Sequence, residues 1–286
     1  MYTTEFDYFK PSSVQEALSL LEQHPDAKLL AGGHSLVPTM KLRLASPSAL
    51  IDVSRLEGLR GIRLEMDKIV IGAMTTHRDI EFSNDLKENC PILPEQARLI
   101  GDPMVRNKGT LGGALAHADP AADYPASMLA LNASLKIEGK SGARVVSAQD
   151  FFQGMFATSL ESGEMLTEIH IPLQGRHMTY EKFAHPASRY AIVGVAVVLE
   201  MDGNTCSSAR VALTGAGPGA IRLSSVEEKL NGQVLSASLI ENAVKDAVQA
   251  DELLSDPFAS SEYRAHLVSV MAKKALSRAN PSSVTR

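Results

Sequence analysis

"AGGHSLVPTMKLR", residues 31–43, decides how the rest of the chain reads. The apolar pair Leu29 and Leu30 runs into Gly32 and Gly33, and Ser35 opens an amphipathic run. That is the pattern of a strand, a glycine turn and a short helix. Glycine reaches positive φ and brings main-chain N–H groups up to a ligand with no Cβ in the way. Successive N–H groups ahead of a helix N-terminus hold an anion.

Outward from this loop the chain reads as a β-α-β unit. Residues 6–10 form a short strand, and Ser13 with Glu16 a capping box. Val14, Ala17, Leu18 and Leu21 then mark one face of a helix that ends at His24-Pro25-Asp26. Residues 28–31 and 49–53 are strands on either side of the glycine turn. Residues 68–82, "KIVIGAMTTHRDIEF", repeat the form, with Thr75 or Thr76 as the helix N-cap. A helix over 94–99 leads into "GDPMVRNKGTLGGALAHADPAADYP" (101–125), the stretch richest in glycine and alanine. A helix and strands at 134–138, 143–147 and 164–171 follow.

The character changes at Gly175-Arg176-His177. "YAIVGVAVVLEM" and "SSARVALTGAG" are strands joined through Asp202-Gly203-Asn204, a hairpin signal, and helices over 223–230, 236–249 and 262–279 close the chain. The expectation is an α+β protein. Residues 1–175 make a two-lobed ligand domain, with lobes at about 1–56 and 57–175, and residues 176–286 an α+β C-terminal domain.

A second loop, Gly109-Thr110-Leu111-Gly112-Gly113-Ala114, matches the first. Any one Gly-Gly pair reads first as a tight turn. Here both loops precede helix-compatible segments and both carry a small hydroxyl, Ser35 or Thr110, able to donate to an oxyanion. Two such loops suit one diphosphate. Neither has the G-x-G-x-x-G spacing of a Rossmann turn. Pro218 removes an N–H from "GAGPG" (215–219), and Ser134 stands where a P-loop ending in "GKS" (139–141) needs its first glycine.

The 286 residues are enough for two or three lobes, and 44% hydrophobic with 21% charged residues is ordinary globular composition. A net charge of -5 argues against nucleic acid as a partner. No apolar run approaches the roughly 20 residues of a membrane span, and the N-terminus lacks a basic-then-apolar leader, so the cytoplasm is the expected compartment. Cys90 and Cys206 are too few and too far apart for a disulfide framework or an iron–sulfur site. Any redox carrier is then organic or on another subunit. His117, Asp119 and Asp123 offer imidazole and carboxylate donors, but no metal site is expected from them. Catalytic residues are not expected either.

"LLAGGHSLVPTMKLRLASPSALIDVSRL", "VIGAMTTHRDI", "VRNKGTLGGALAHADPAADYPASMLAL" and "YEKFAHPASRYAIVGVAVVLEM" together resemble the medium, FAD-binding subunit of molybdenum hydroxylases, the carbon monoxide dehydrogenase and xanthine oxidase family, over residues 6–279. The resemblance implies a first domain of the vanillyl-alcohol-oxidase (PCMH) type, two lobes gripping an extended FAD. By position, Ala31, Gly32, Gly33, His34 and Ser35, with Thr110, Leu111, Gly112, Gly113 and Ala114, would wrap the diphosphate and ribityl chain. Asp123 would accept from ribityl hydroxyls, Lys28 and Lys182 would lie near the flavin, and Tyr190 near the isoalloxazine ring. Lys28 reads equally as a solvated lysine, Asp123 as an N-cap, and Tyr190 as core packing.

Three departures stand out. Ala114 occupies a position where relatives often carry asparagine, His117 stands for another asparagine, and Ser188-Arg189 replace a usual Gly-Asp before Tyr190. The resemblance implies an electron-transfer subunit partnered by a large molybdopterin subunit and a small subunit with two [2Fe–2S] clusters, as a dimer of heterotrimers. Two other readings stay open: a stand-alone flavoenzyme with Tyr190 as acid or base, and a nucleotide-binding adaptor whose C-terminal domain docks partners.

Overall fold

In a computed structural model, residues 2–175 and 177–281 are described. Arg176, in the expected boundary, lies outside the described residues, as do residues 282–286. Three sheets and a two-stranded ribbon are formed by the described residues, each sheet with its own hydrophobic core.

The first lobe is a three-stranded parallel sheet in which Ala49–Asp52 lies between Asp7–Phe9 and Lys28–Leu30. The middle strand is apolar on both faces, with Ala49, Leu50 and Ile51 buried, as a parallel sheet covered on both sides requires. Helix Val14–Gln23 makes the crossover and buries Ala17 and Leu18. Ser13 Oγ accepts the Glu16 amide at 3.1 Å, but the Glu16 carboxylate accepts from Ser12, from its N–H and its hydroxyl at 2.7 Å each. The expected capping box is therefore half formed, its carboxylate shifted one residue outward.

The second lobe is a five-stranded antiparallel sheet in the order Ile62–Leu64, Lys68–Gly72, Met165–Pro172, Ser134–Gly139, Gly142–Ser147. Helices that include Ile92–Arg98, Leu111–His117 and Tyr124–Ala130 cover it. Thr76, rather than Thr75, caps its helix, in a full box with Asp79. Cys90 sits in this core, where burial pushes its thiol up to about 12. It is an inert structural thiol.

The third sheet runs His177–Ala184, Ala191–Asp202, Thr205–Thr214, Ile221–Arg222. Gly203 takes φ +57° in the two-residue turn that the hairpin signal anticipates. Ala191–Asp202 is buried on both faces. Val195, Val197 and Leu199 meet the helices Ser224–Leu230, Ala237–Val244 and Ser261–Ala279, while Ala196 and Val198 join the core of the second lobe. Gly194 leaves room for Tyr180, whose Oη lies 2.1 Å from where a Cβ would be. The small residues on that face let the C-terminal sheet close against the second lobe.

Candidate cofactor-binding site

Lys28–Leu30 delivers the first glycine loop to the junction of the lobes. Gly33 takes φ +72° and helix Leu36–Lys41 begins three residues beyond it. Among the described residues, the N–H groups of Gly32, Gly33, His34 and Ser35 donate to no acceptor in the chain. Ser35 occupies the N-cap without a side-chain cap bond, its hydroxyl turned toward Tyr190. His34 Nδ1 donates to Gly32 O at 3.0 Å, so this imidazole closes the loop on itself. A run of orphan amides at a helix start favours a bound anion.

The second loop meets the first directly. A Cβ on Gly32 would stand 2.0 Å from Lys108 O and 2.9 Å from Gly109 Cα. Its own amides, however, are mostly bonded inside the fold. Leu111 N–H donates to Thr75 O at 3.0 Å, Gly112 N–H to Ala73 O at 2.9 Å, Gly113 N–H to Thr110 Oγ1 at 3.1 Å and Ala114 N–H to Thr110 O at 3.0 Å. Of residues 110–114, only Thr110 keeps an N–H with no acceptor among the described residues. The expectation that both loops present amide runs is corrected here: the first presents one, and the second uses its glycines for close packing. A Cβ on Gly112 would meet Ala73 Cβ at 2.5 Å, and one on Gly109 would meet His77 Nε2 at 2.6 Å.

Between the loops lies a cleft of about 640 Å³, within the range of small-molecule and cofactor sites. It is lined by Lys28, Ala31, Gly32, Gly33, His34, Ser35, Thr110, Gly112, Gly113, Ala114, His117, Asp123 and Tyr190, all expected from sequence. Two expected residues do not line it. The Leu111 side chain is fully buried in the core of the second lobe. Lys182 lies behind Asp123, its Nζ donating to Asp123 Oδ2 at 2.9 Å and to Leu99 O at 3.3 Å.

Asp123 itself is buried, and Tyr180 Oη donates to its Oδ1 at 2.5 Å. Burial pushes its carboxyl above the usual carboxylate range, while Lys182 and Tyr180 draw it back down. Asp123 is thus clamped from the C-terminal sheet, and its role as N-cap is absent: it makes no side-chain cap bond. The same sheet grips the loop before it, with Gly215 N–H on Pro120 O at 2.9 Å and Thr214 Oγ1 on Ala122 O at 2.6 Å.

From that sheet a turn over residues 185–190 carries Ser188, Arg189 and Tyr190 to the cleft mouth. Tyr190 is partly exposed rather than packed in the core. Its hydroxyl faces Ser35, and burial, with Asp119 adding to it, raises its pKa. His117 packs beside Phe156, ring centroids 5.1 Å apart, and both line the cleft. His77 and Tyr124 also line the cleft, both nearly fully buried, their rings 5.4 Å apart. Burial pushes His77 down to about 4, with His34 and Arg106 adding to the effect. Sequence reading did not single out His77, Tyr124 or Phe156; a histidine following the Thr76 cap was the one available signal for the first.

The chain matches the family described as "FAD binding domain in molybdopterin dehydrogenase" over residues 4–174. It matches "CO dehydrogenase flavoprotein C-terminal domain" over residues 178–279. It belongs to the family of FAD-binding subunits of molybdopterin dehydrogenases. Within that family it is 42% identical to the carbon monoxide dehydrogenase medium chain of Hydrogenophaga pseudoflava, over 98% of each chain. It is 37% identical to the glyceraldehyde dehydrogenase medium chain of Sulfolobus acidocaldarius, over 96% of this chain and 98% of that one. A solved structure of carbon monoxide dehydrogenase from Hydrogenophaga pseudoflava superposes with a TM-score of 0.93, covering 98% of each chain. Quinoline 2-oxidoreductase from Pseudomonas putida 86 superposes equally well at 34% identity, covering 99% of each.

FAD fits the residues present. The orphan amides of residues 32–35 and the N–H of Thr110 answer a diphosphate, and Gly32 admits the close approach that a Cβ would fill. The cleft of about 640 Å³, lined by residues from Lys28 to Tyr190, has the room that such a cofactor needs.

Proposed function

We propose that this chain holds FAD in the cleft between its lobes and serves as the electron-transfer subunit of a molybdenum hydroxylase complex. The observation that carries this is the run of four orphan amides packed against Gly109 at the floor of the cleft. When bound, FAD supplies a carrier that takes electrons one at a time from [2Fe–2S] clusters on a partner subunit and passes them in pairs to an external acceptor.

In this reading Gly32, Gly33, His34, Ser35 and Thr110 hold the diphosphate. Ala31, Gly113, Ala114 and His117 shape the wall along the ribityl chain, and Lys28, Asp123 and Tyr190 border the flavin. Gly112 and Leu111 act through packing, Lys182 through Asp123. The functional division is a FAD-binding domain over 1–175, in lobes 1–56 and 57–175, and a C-terminal domain over 176–286 that completes the cleft and faces the partner chains. Those partners are a large molybdopterin subunit and a small iron–sulfur subunit, assembled as a dimer of heterotrimers. No helix among the described residues is long and apolar enough to cross a membrane, and the complex is assigned to the cytoplasm.

This assignment is favoured over a stand-alone flavoenzyme because the acid or base that alternative needs is poorly placed on the pH scale. The Tyr190 phenol is shifted further above neutrality, and Asp123 is held between Tyr180 and Lys182. Carbon monoxide, an aldehyde and an N-heterocycle are the substrate classes consistent with the family; the substrate pocket lies in the large subunit. The native complex, purified and scanned, should show a flavin spectrum with one FAD per chain, together with molybdenum and iron. A colourless, fully active complex refutes the assignment.

A further inference from the structure

The turn that reaches the cleft mouth is built around one imidazole. His185 Nδ1 accepts two main-chain amides, from Ala187 and from Ser188, at 3.2 Å each. Pro186, between His185 and Ala187 in sequence, has no N–H to offer. The main chain closes the same turn through His185 N–H to Tyr190 O at 2.8 Å and Arg189 N–H to His185 O at 2.9 Å. Ser188 Oγ accepts the Tyr190 amide at 3.3 Å, and Arg189 takes φ +62°, a left-handed conformation that a non-glycine residue adopts only when its surroundings impose it.

The other ring nitrogen, Nε2, is buried with no hydrogen-bond partner among the described residues, and the ring packs edge-on with Phe258 at 4.2 Å between centroids. A proton on Nδ1 would face two N–H donors. Nδ1 is therefore the acceptor nitrogen, standing in for the oxygen that an Asn side chain supplies when it caps a turn.

We propose that His185 is a positioning residue for the cleft mouth: by collecting the Ala187 and Ser188 amides it holds the left-handed Arg189 and aims Tyr190 at the first glycine loop. It does not itself line the cleft. The inference rests on the FAD reading for its functional consequence, but its structural half does not. Without the imidazole acceptor the Ala187 and Ser188 amides lose their partner, and Arg189 is left to the main-chain bonds of the turn and the Ser188 hydroxyl alone.

The test uses the full chain as apoprotein, with His185→Asn, His185→Leu and Tyr190→Ala variants. Asn places Oδ1 where Nδ1 stands; Leu keeps comparable bulk and removes the acceptor. Amide hydrogen exchange of residues 184–190 needs no flavin. Protection is expected to match the wild type in His185→Asn and to fall in His185→Leu, and equal protection in all three overturns the proposal. FAD titration by flavin fluorescence then reads the consequence. His185→Leu should bind on the order of tenfold more weakly, His185→Asn as the wild type does, and in a Tyr190→Ala background His185→Leu should add no further loss. An undiminished loss in that background overturns the positioning role. Should His185→Leu fail to fold, the comparison passes to His185→Asn against His185→Gln, whose amide oxygen lies one bond too far out: equal exchange and affinity in those two refute the idea. A wild-type chain that takes up no FAD, with the exchange pattern intact, would strike at the FAD assignment and leave the turn as described.

Discussion

Gly32→Ala tests the floor of the cleft with a single methyl group. An added Cβ would lie 2.0 Å from Lys108 O, 2.7 Å from Lys108 C and 2.9 Å from Gly109 Cα. All three are main-chain atoms, so no side chain can swing aside. Relief requires the two loops to part by about an ångström, since comfortable carbon contacts begin near 3.5 Å. Overpacking against adaptable side chains costs about 1–3 kcal/mol, and against fixed backbone the upper end applies. Because Gly32 belongs to the run of orphan amides, the same cost falls on the proposed diphosphate site. About 3 kcal/mol corresponds to roughly a hundredfold weaker FAD binding. Gly58→Ala is the control: that glycine has positive φ (+83°), which Gly32 does not, and nothing within 4 Å of its missing Cβ, so it tests backbone strain without overpacking. Titration of both apoproteins with FAD, alongside thermal unfolding, separates the two effects: Gly58→Ala should lose stability alone. An unaltered FAD dissociation constant in Gly32→Ala refutes the convergence of the loops on one ligand.

Lys182→Met should leave the buried Asp123 carboxylate without its cation and lower unfolding stability by about 3–5 kcal/mol; adding Asp123→Asn should recover most of it, as urea titration would report. His77 is held near 4 against an ordinary 6.5, so the unfolded chain binds its proton first on acidification. Its contribution to stability is intact above pH 6.5 and declines below it, by about 2 kcal/mol at pH 5, and this part of the pH slope should vanish in His77→Gln. Gly194→Ala drives a methyl to within 2.1 Å of Tyr180 Oη and should cost about 2–3 kcal/mol. The penalty should shrink in a Tyr180→Phe background, and equal melting-temperature losses in the two backgrounds would show that the phenol is not the obstacle.

Much of the fold was legible locally. Ser13 and Thr76 announced their helices, Asp202-Gly203-Asn204 announced its hairpin, and the apolar runs at 49–51 and 191–199 announced strands. These signals are short in range: a cap hydrogen-bonds three residues away, and a two-residue turn needs only its own φ values. The glycine loops were legible for the same reason, because glycine at a strand-to-helix junction is a local conformational demand.

Which amides remained free was not local. The N–H groups of Gly32 and Gly112 look alike in sequence, yet one faces the cleft and the other is bonded to Ala73 O, because residues 73–76 happen to run beside the second loop and not the first. Lys182, placed near the flavin by resemblance, pairs with Asp123 behind the cleft wall, where the buried carboxylate gives it a partner. The Glu16 carboxylate found Ser12 in preference to Ser13. Sequence determined where the chain turns and what each segment buries. Tertiary packing decided which donors and acceptors were left over to meet a ligand, because satisfying buried polar groups is a property of neighbours that the linear order does not specify.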